Sequence, residues 1–295
     1  MLTITNLSKT YANGVHALRG VDLSIPYGLF GLLGPNGAGK SSLMRTLATL
    51  QEADTGTATL DGLDLLNDKP AVRRILGYLP QDFGLYPRID AETLLDHFAD
   101  LKGIAGKRER RAAVERLLRL TNLWDVREQK LGTYSGGMRQ RFGIAQALLA
   151  EPRLIIVDEP TTGLDPEERR RFLNLLARIG ESAVVILSTH LVADVRELCG
   201  AMAVIQKGRV LAQGTPEALI TQLDGRVWRT PMDGDDLDAL PDSATLLSTQ
   251  LRSGRTVARV ESDVQPGPGF EAVAPNLEDV YFSVLRAAAV DAAVS

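Results

Sequence analysis

The sequence predicts an α/β fold: a largely parallel sheet with helices on both faces, followed by a small α+β tail. Three observations carry this expectation. Short apolar runs, "GLFGLLG", "RLIIVDEP" and "SAVVILSTH", alternate with stretches of helical periodicity such as "DPEERRRFLNLLARIG", the pattern of strands covered on both faces. The glycine-rich "GPNGAGKS" stands between one such run and the helical "KSSLMRTLATL", giving strand, loop and helix. At 295 residues, 44% hydrophobic and 24% charged, the chain has material for one large domain, or one large and one small.

The elements follow in order. "LTITNLSKTY" and "ALRGVDLSI" are strand-like runs separated by a turn, and "GLFGLLG" is a buried strand. Residues from about 83 to 150 turn helix-rich: "AETLLDHFADLKG" and "RERRAAVERLLRLTNL" place apolar residues at helical spacing with charges between. This is a helical insert. Strand signals resume in "RLIIVDEP", "SAVVILSTH" and "AMAVIQKGRVLAQG", with "VADVRELCG" as a further helix. Beyond residue 222 the texture changes. "TLLSTQLRSGRTVARVES" predicts a hairpin turning at Ser253 and Gly254, and "NLEDVYFSVLRAAA" a last helix. Residues 1–221 therefore form the main domain and 222–295 a small accessory domain.

Composition narrows the function. A net charge of -4, from 33 basic and 37 acidic residues, lacks the basic signature of nucleic-acid binding. The single cysteine, Cys199, excludes an internal disulfide and suits a reducing compartment. The first residues, "MLTITNLSKTYANG", have neither a basic nor an apolar leader region, so no signal peptide is expected. No window reaches the roughly 18 consecutive apolar residues of a spanning helix. A role at a membrane would need spans from another chain.

Two motifs carry chemistry. In "GPNGAGKS", Gly34 to Ser41, the pattern G-x-x-x-x-G-K-[ST] lets backbone amides around Asn36, Gly37, Ala38 and Gly39 wrap phosphates. Lys40 supplies positive charge to the β and γ oxygens, Ser41 a Mg²⁺ ligand, and Ser42 continues the phosphate-facing turn. In "LIIVDEP" an apolar strand delivers Asp158 and Glu159 at its C-terminal end, the edge where open parallel sheets bind ligands. Asp158 is placed for the metal, directly or through water. Glu159 is placed to deprotonate the attacking water.

The order Tyr11, "GPNGAGKS", "GYLPQD", "YSGGMRQR", "LIIVDEP", "TTGLDP", "LSTH" resembles the ATP-binding cassette (ABC) family of transporter ATPases over residues 1 to about 220. The resemblance implies a RecA-like P-loop NTPase core with an antiparallel β subdomain and the helical insert. Residue by residue, it makes Tyr11 the aromatic that stacks on adenine, unless it is an ordinary strand-end tyrosine. Gln81 matches the glutamine that touches Mg²⁺ or the lytic water. His190 matches the switch histidine that contacts the γ-phosphate and orients Glu159. His16 and His97 match no motif and are expected to be structural or solvated. Asp165 matches the loop that crosses to a second cassette and also suits an N-cap for the helix after Pro166. The two roles are compatible.

"YSGGMRQR" resembles the family signature, usually L-S-G-G-Q, with Tyr134 and Met138 departing from it. Ser135, Gly136 and Gly137 retain the hydroxyl and backbone amides that meet a γ-phosphate at a helix N-terminus. Only one cassette is present, so the resemblance implies a second copy or a paralogue, two ATP held head to tail, and a separate transmembrane permease at the cytoplasmic face of the cell membrane. Phe83, Leu85, Tyr86 and Pro87 either receive the permease or pack within the insert. "NLEDVYFSVL" resembles the ending of ABC-2-type multidrug and antibiotic-resistance exporter ATPases, and its role is dimer contact, permease contact or regulation. Two alternatives are a non-transport cassette of DNA repair or translation and a regulatory nucleotide-binding module. The first lacks its usual coiled coil or second cassette here, and the second would show a damaged catalytic set.

Overall fold

The computed structural model describes residues 1–81, 84–159, 165–232, 240–241, 243–252 and 254–294, with 252 and 291–294 described by backbone alone. Phe83, residues 161–164 of the "TTGLDP" loop and Ser253 of the expected hairpin lie outside the described residues.

Three sheets organise the chain. The first is antiparallel: β1 (Leu2–Thr10), β2 (His16–Ile25), β4 (Thr55–Leu60) and the short β5 (Leu63–Asp64), in the order β2-β1-β4-β5. The second is mainly parallel. Its strands are β3 (Gly28–Leu33), β6 (Leu76–Leu79), β7 (Leu154–Asp158), β8 (Val184–Thr189), β9 (Ala201–Gln206) and β10 (Arg209–Gly214). They run in the order β10-β9-β3-β8-β7-β6, all parallel except the β9–β10 hairpin. "AMAVIQKGRVLAQG" thus divides at Lys207 and Gly208, both left-handed.

Helices fill the intervals: α1 (Lys40–Leu47), α2 (Lys69–Ile75), α3 (Ala91–Leu101), α4 (Lys107–Leu120), α5 (Gly136–Ala147), α6 (Pro166–Gly180), α7 (Val192–Leu198) and α8 (Pro216–Thr221). The helical insert comprises α3, α4 and α5 with two short 3₁₀ turns between α4 and α5. The helix α1 stops sooner than "KSSLMRTLATL" predicts, because Thr49 turns left-handed (φ 61°) and its buried hydroxyl accepts from Arg73 Nε at 3.0 Å.

The parallel sheet is covered on both faces, which explains its unbroken apolar runs. Ile155, Val157, Val185 and Leu187 enter a core shared with the insert and α6. Their neighbours Leu154, Ile156, Val184 and Ile186 enter a second core with α1 and the antiparallel sheet. This is the period-two alternation of a strand with apolar residues on both sides.

The tail builds a third sheet from β11 (Val227–Met232), β12 (Thr245–Arg252), β13 (Arg255–Glu261) and β14 (Glu271–Ala272), in the order β12-β13-β11-β14. Its last helix, α9 (Leu277–Val294), packs on α7, α8, β9 and β10, and buries Leu277 and Val280 in the same core as the insert. The "NLED" start of this helix has a definite structure. Asn276 Oδ1 accepts from the backbone N–H of Glu278 and Asp279 at 2.8 and 3.0 Å, and Asp279 Oδ2 accepts from Asn276 N at 2.8 Å, a reciprocal cap. Asp279 also takes a two-point contact from Arg259 on β13, Nε to Oδ1 at 2.7 Å and Nη2 to Oδ2 at 2.6 Å.

Candidate active site

Four parallel strands, β3, β6, β7 and β8, end on one edge, and the chain places a predicted site residue just beyond or at each end. After β3 comes the loop from Gly34 to Gly39 that opens α1. Gly39 is the N-cap at φ 110°, and a Cβ there would meet the Ala17 carbonyl oxygen at 2.6 Å. Only glycine fits such a turn. The first turn of α1 carries no acidic residue, so its exposed amides and dipole favour an anion.

A cleft of about 720 Å³ opens over this loop, lined by Asn36, Gly37, Ala38, Gly39, Lys40, Ser41 and Ser42, and closed by Tyr11, Gln81, Glu159 and His190. Tyr11 sits in the turn between β1 and β2, with its N–H donating to Val15 O and its carbonyl accepting from Gly14 N, both at 2.9 Å. Lys40 is 6% exposed, and its Nζ donates to Gly34 O at 2.5 Å and Pro35 O at 3.3 Å. Burial lowers the Lys40 pKa against the opposing pull of Glu159 and Asp158.

Asp158 ends β7 beneath the loop and accepts from Ser41 Oγ at 3.2 Å. Burial, with a smaller push from the Glu159 charge, raises its pKa. Glu159 follows with φ 47°, a left-handed conformation held by its N–H donating to Ser188 O at 3.0 Å. Such backbone strain in a non-glycine residue concentrates at functional sites. His190, just past β8, brings Nδ1 to 3.3 Å from Glu159 Oε1. Among the described residues, no group of three or more His, Cys, Asp or Glu could hold a metal ion.

Ser135, Gly136, Gly137 and Asp165 do not line this cleft. Ser135 is the N-cap of α5, accepting from Met138 N at 3.2 Å, and leaves its hydroxyl proton available to a ligand. Gly137 lies so close to α6 that a Cβ would fall 1.7 Å from Glu168 Oε2. Glu168 also pairs with Arg141 at 3.4 Å, and its N–H donates to the capping Asp165 Oδ1 at 2.8 Å. The signature helix and the helix after the "TTGLDP" loop thus start side by side. The departure at Tyr134 has a packing reason: the ring is 2% exposed, its hydroxyl donates to Val126 O at 3.0 Å, and burial pushes its pKa up to about 12. Met138 packs against the same core.

The family model for ABC transporters matches residues 18–162. Over 86% of this chain and 76% of its own, the daunorubicin/doxorubicin resistance ATP-binding protein DrrA of Streptomyces peucetius is 38% identical. The chain belongs to the ABC transporter ATP-binding proteins. It is also 31% identical to the uncharacterized ABC transporter ATP-binding protein YxlF of Bacillus subtilis, over 97% of this chain and 100% of that protein, a span that takes in the tail. Among solved structures it is similar to the dimeric post-hydrolysis state of the ATP-binding cassette MJ0796 bound to ADP and Pi, with a TM-score of 0.66 and 26% identity over 73% of this chain and 98% of that one. The cassette therefore binds ATP and hydrolyses it.

The cleft of this ABC ATPase also holds two residues that the sequence did not single out, and a histidine expected to be structural or solvated. Val15 and Ala17 line it, as does His16, whose Nδ1 lies 3.0 Å from Thr10 Oγ1. Only their place just after Tyr11, Val15 at the end of the turn and His16 and Ala17 at the start of β2, marks them. His97, by contrast, sits on α3 with its ring 6.2 Å from that of Phe98.

Proposed function

We propose that this chain is the energy-supplying subunit of an exporter of drug-like molecules, closing as a dimer on two ATP and opening after hydrolysis. One observation carries the reading: the cleft gathers Lys40, Ser41, Gln81, Glu159 and His190 over Asp158, while Ser135, Gly136 and Gly137 face elsewhere. A γ-phosphate bound at Lys40 would meet the signature only of another copy or a paralogue. In that role the phosphate favours the closed pair by contacts that its release removes.

Within one site, the amides of the 34–39 loop bind the phosphates, Tyr11 stacks on the adenine, and Lys40 exchanges its carbonyl partners for phosphate oxygens. Ser41 and Asp158 are adjacent oxygens suited to Mg²⁺, which takes one or two protein ligands beside phosphates and water. Mg²⁺ would there neutralise phosphate charge. Gln81 faces the same space and would position the metal's water or the attacking one. Glu159 accepts the proton of the attacking water, and His190 holds its carboxylate in place. Asp165 reaches the partner copy while capping α6.

Among the described residues, no helix is long and apolar enough to cross a membrane. On the proposed reading a separate permease supplies the spans and holds this subunit at the cytoplasmic face. Leu85 packs against the insert's core, whereas Tyr86 is 59% exposed. A groove lined by Leu50, Leu76, Tyr78, Phe98 and Leu101 opens beside the insert. In this reading the permease's cytoplasmic helix docks in that groove. The drug-like cargo rests on the resistance function named for DrrA. Affinity purification from native membranes tests the reading: a multi-spanning permease is expected, and repeated recovery of ribosomes or nucleic acid instead would move the cassette to the non-transport class.

A further inference from the structure

Gln51 lies just past α1 and does not line the nucleotide cleft, yet its hydrogen bonds run directly into it. Its Nε2 donates to the Ser42 carbonyl at 2.8 Å and to Thr46 Oγ1 at 2.9 Å. A carbonyl only accepts, so the amide nitrogen must face it, and Oε1 must point the other way. There Oε1 accepts from the Tyr11 hydroxyl at 3.0 Å. That contact uses the phenol's one proton. Ser42 Oγ, 3.0 Å from the same phenol oxygen, is therefore the donor of that second bond. Thr46 Oγ1 in turn donates to the Ser42 carbonyl at 2.9 Å. Every proton in this network has one consistent direction.

The consequence is mechanical. The Tyr11 backbone is held in its turn by Val15 and Gly14, and its hydroxyl is held by Gln51 and Ser42 to the helix that begins at Lys40. We propose that Gln51 is a positioning residue for nucleotide binding: it fastens the Tyr11 ring to the phosphate-loop helix, so that the adenine platform and the phosphate cradle are set at a fixed separation before ATP arrives. A ring already immobilised is spared the ordering cost of binding. The inference rests on Tyr11 being the base platform, and it adds the residue that holds the platform in place.

The experiment compares ATP with inorganic tripolyphosphate, which has phosphates and no base, as a competitive inhibitor. In Gln51→Leu, KM for MgATP should rise about three- to tenfold, with kcat within about twofold and the tripolyphosphate inhibition constant unchanged. Tyr11→Phe, which removes only the tethered hydroxyl and leaves Gln51 and α1 intact, should behave alike, and the double variant should lose no more than either single one. If Gln51→Leu does not fold, Tyr11→Phe alone decides the matter. A parallel loss of tripolyphosphate affinity would overturn the proposal, because Gln51 would then be acting on α1. Tyr11→Ala separates the two layers of the argument. No KM rise in Tyr11→Ala removes the platform itself, and with it the proposal. A rise in Tyr11→Ala with none in Gln51→Leu or Tyr11→Phe overturns the proposal alone.

Discussion

Replacing Asp279 should loosen the tail by an amount that the structure sets. Its carboxylate is 1% exposed and its partner Arg259 10% exposed, so both charges are out of water and neutralised chiefly by one another. Arg259 has one further described acceptor, the Ala274 carbonyl at 3.0 Å. Removing one member of such a buried pair costs about 3–5 kcal/mol, because the other charge stays buried. Asp279→Ala also orphans the Asn276 N–H, about 1 kcal/mol more. Asp279→Asn keeps an oxygen for one donor and should fall at the lower end. Urea unfolding with hydrogen exchange measures the loss, and protection should fall first in β13 and α9. Because α9 shares its core with the cassette, the midpoint of the whole chain should drop as well. The paired substitution Arg259→Met with Asp279→Leu should recover most of the stability. A loss under about 1 kcal/mol in Asp279→Ala would mean that the Arg259 charge is not left buried and unpaired.

Two further outcomes follow from the same geometry. Gly137→Ala must displace the Glu168 carboxylate, which a Cβ would otherwise meet at 1.7 Å, and so break its contact with Arg141; ATP turnover should fall at least about tenfold while nucleotide binding to the isolated subunit is kept, the signature acting on a γ-phosphate held elsewhere. Cys199 is 5% exposed with its thiol pKa pushed up to about 12 by burial and the Asp194 charge, so thiol reagents at pH 8 should leave the native protein unmodified and label it only on unfolding.

Much of the candidate site was legible because its residues sit at fixed places in the fold's own grammar. Asp158, Glu159 and His190 close apolar runs, and such runs in a parallel sheet end at the ligand edge. The phosphate loop announces itself by glycines whose backbone only glycine adopts. Other features depend on meetings that no local pattern encodes. Arg259 and Asp279 stand on different elements, and each alone looks like a solvated charge. Gln51 is an unremarked glutamine past a helix end, and its meaning comes from three oxygens that folding brings around it. The early stop of α1 at Thr49 was hidden because a threonine in the left-handed region is held by tertiary contacts, here Arg73, rather than by its own preference. From the sequence, Tyr134 is simply a departure from the usual leucine of the signature. In the fold it is a buried anchor that ties the signature to the insert.

If Glu159 is the base of an ATPase that works as an ATP-closed pair, Glu159→Gln should uncouple ATP binding from its hydrolysis. Turnover and solution mass should be recorded together, with and without MgATP. Hydrolysis should fall at least about a hundredfold, as loss of a general base implies, while ATP is retained and the mass doubles on its addition. Hydrolysis at the native rate would remove Glu159 as the base, and a protein that stays monomeric with ATP bound would remove the ATP-closed pair.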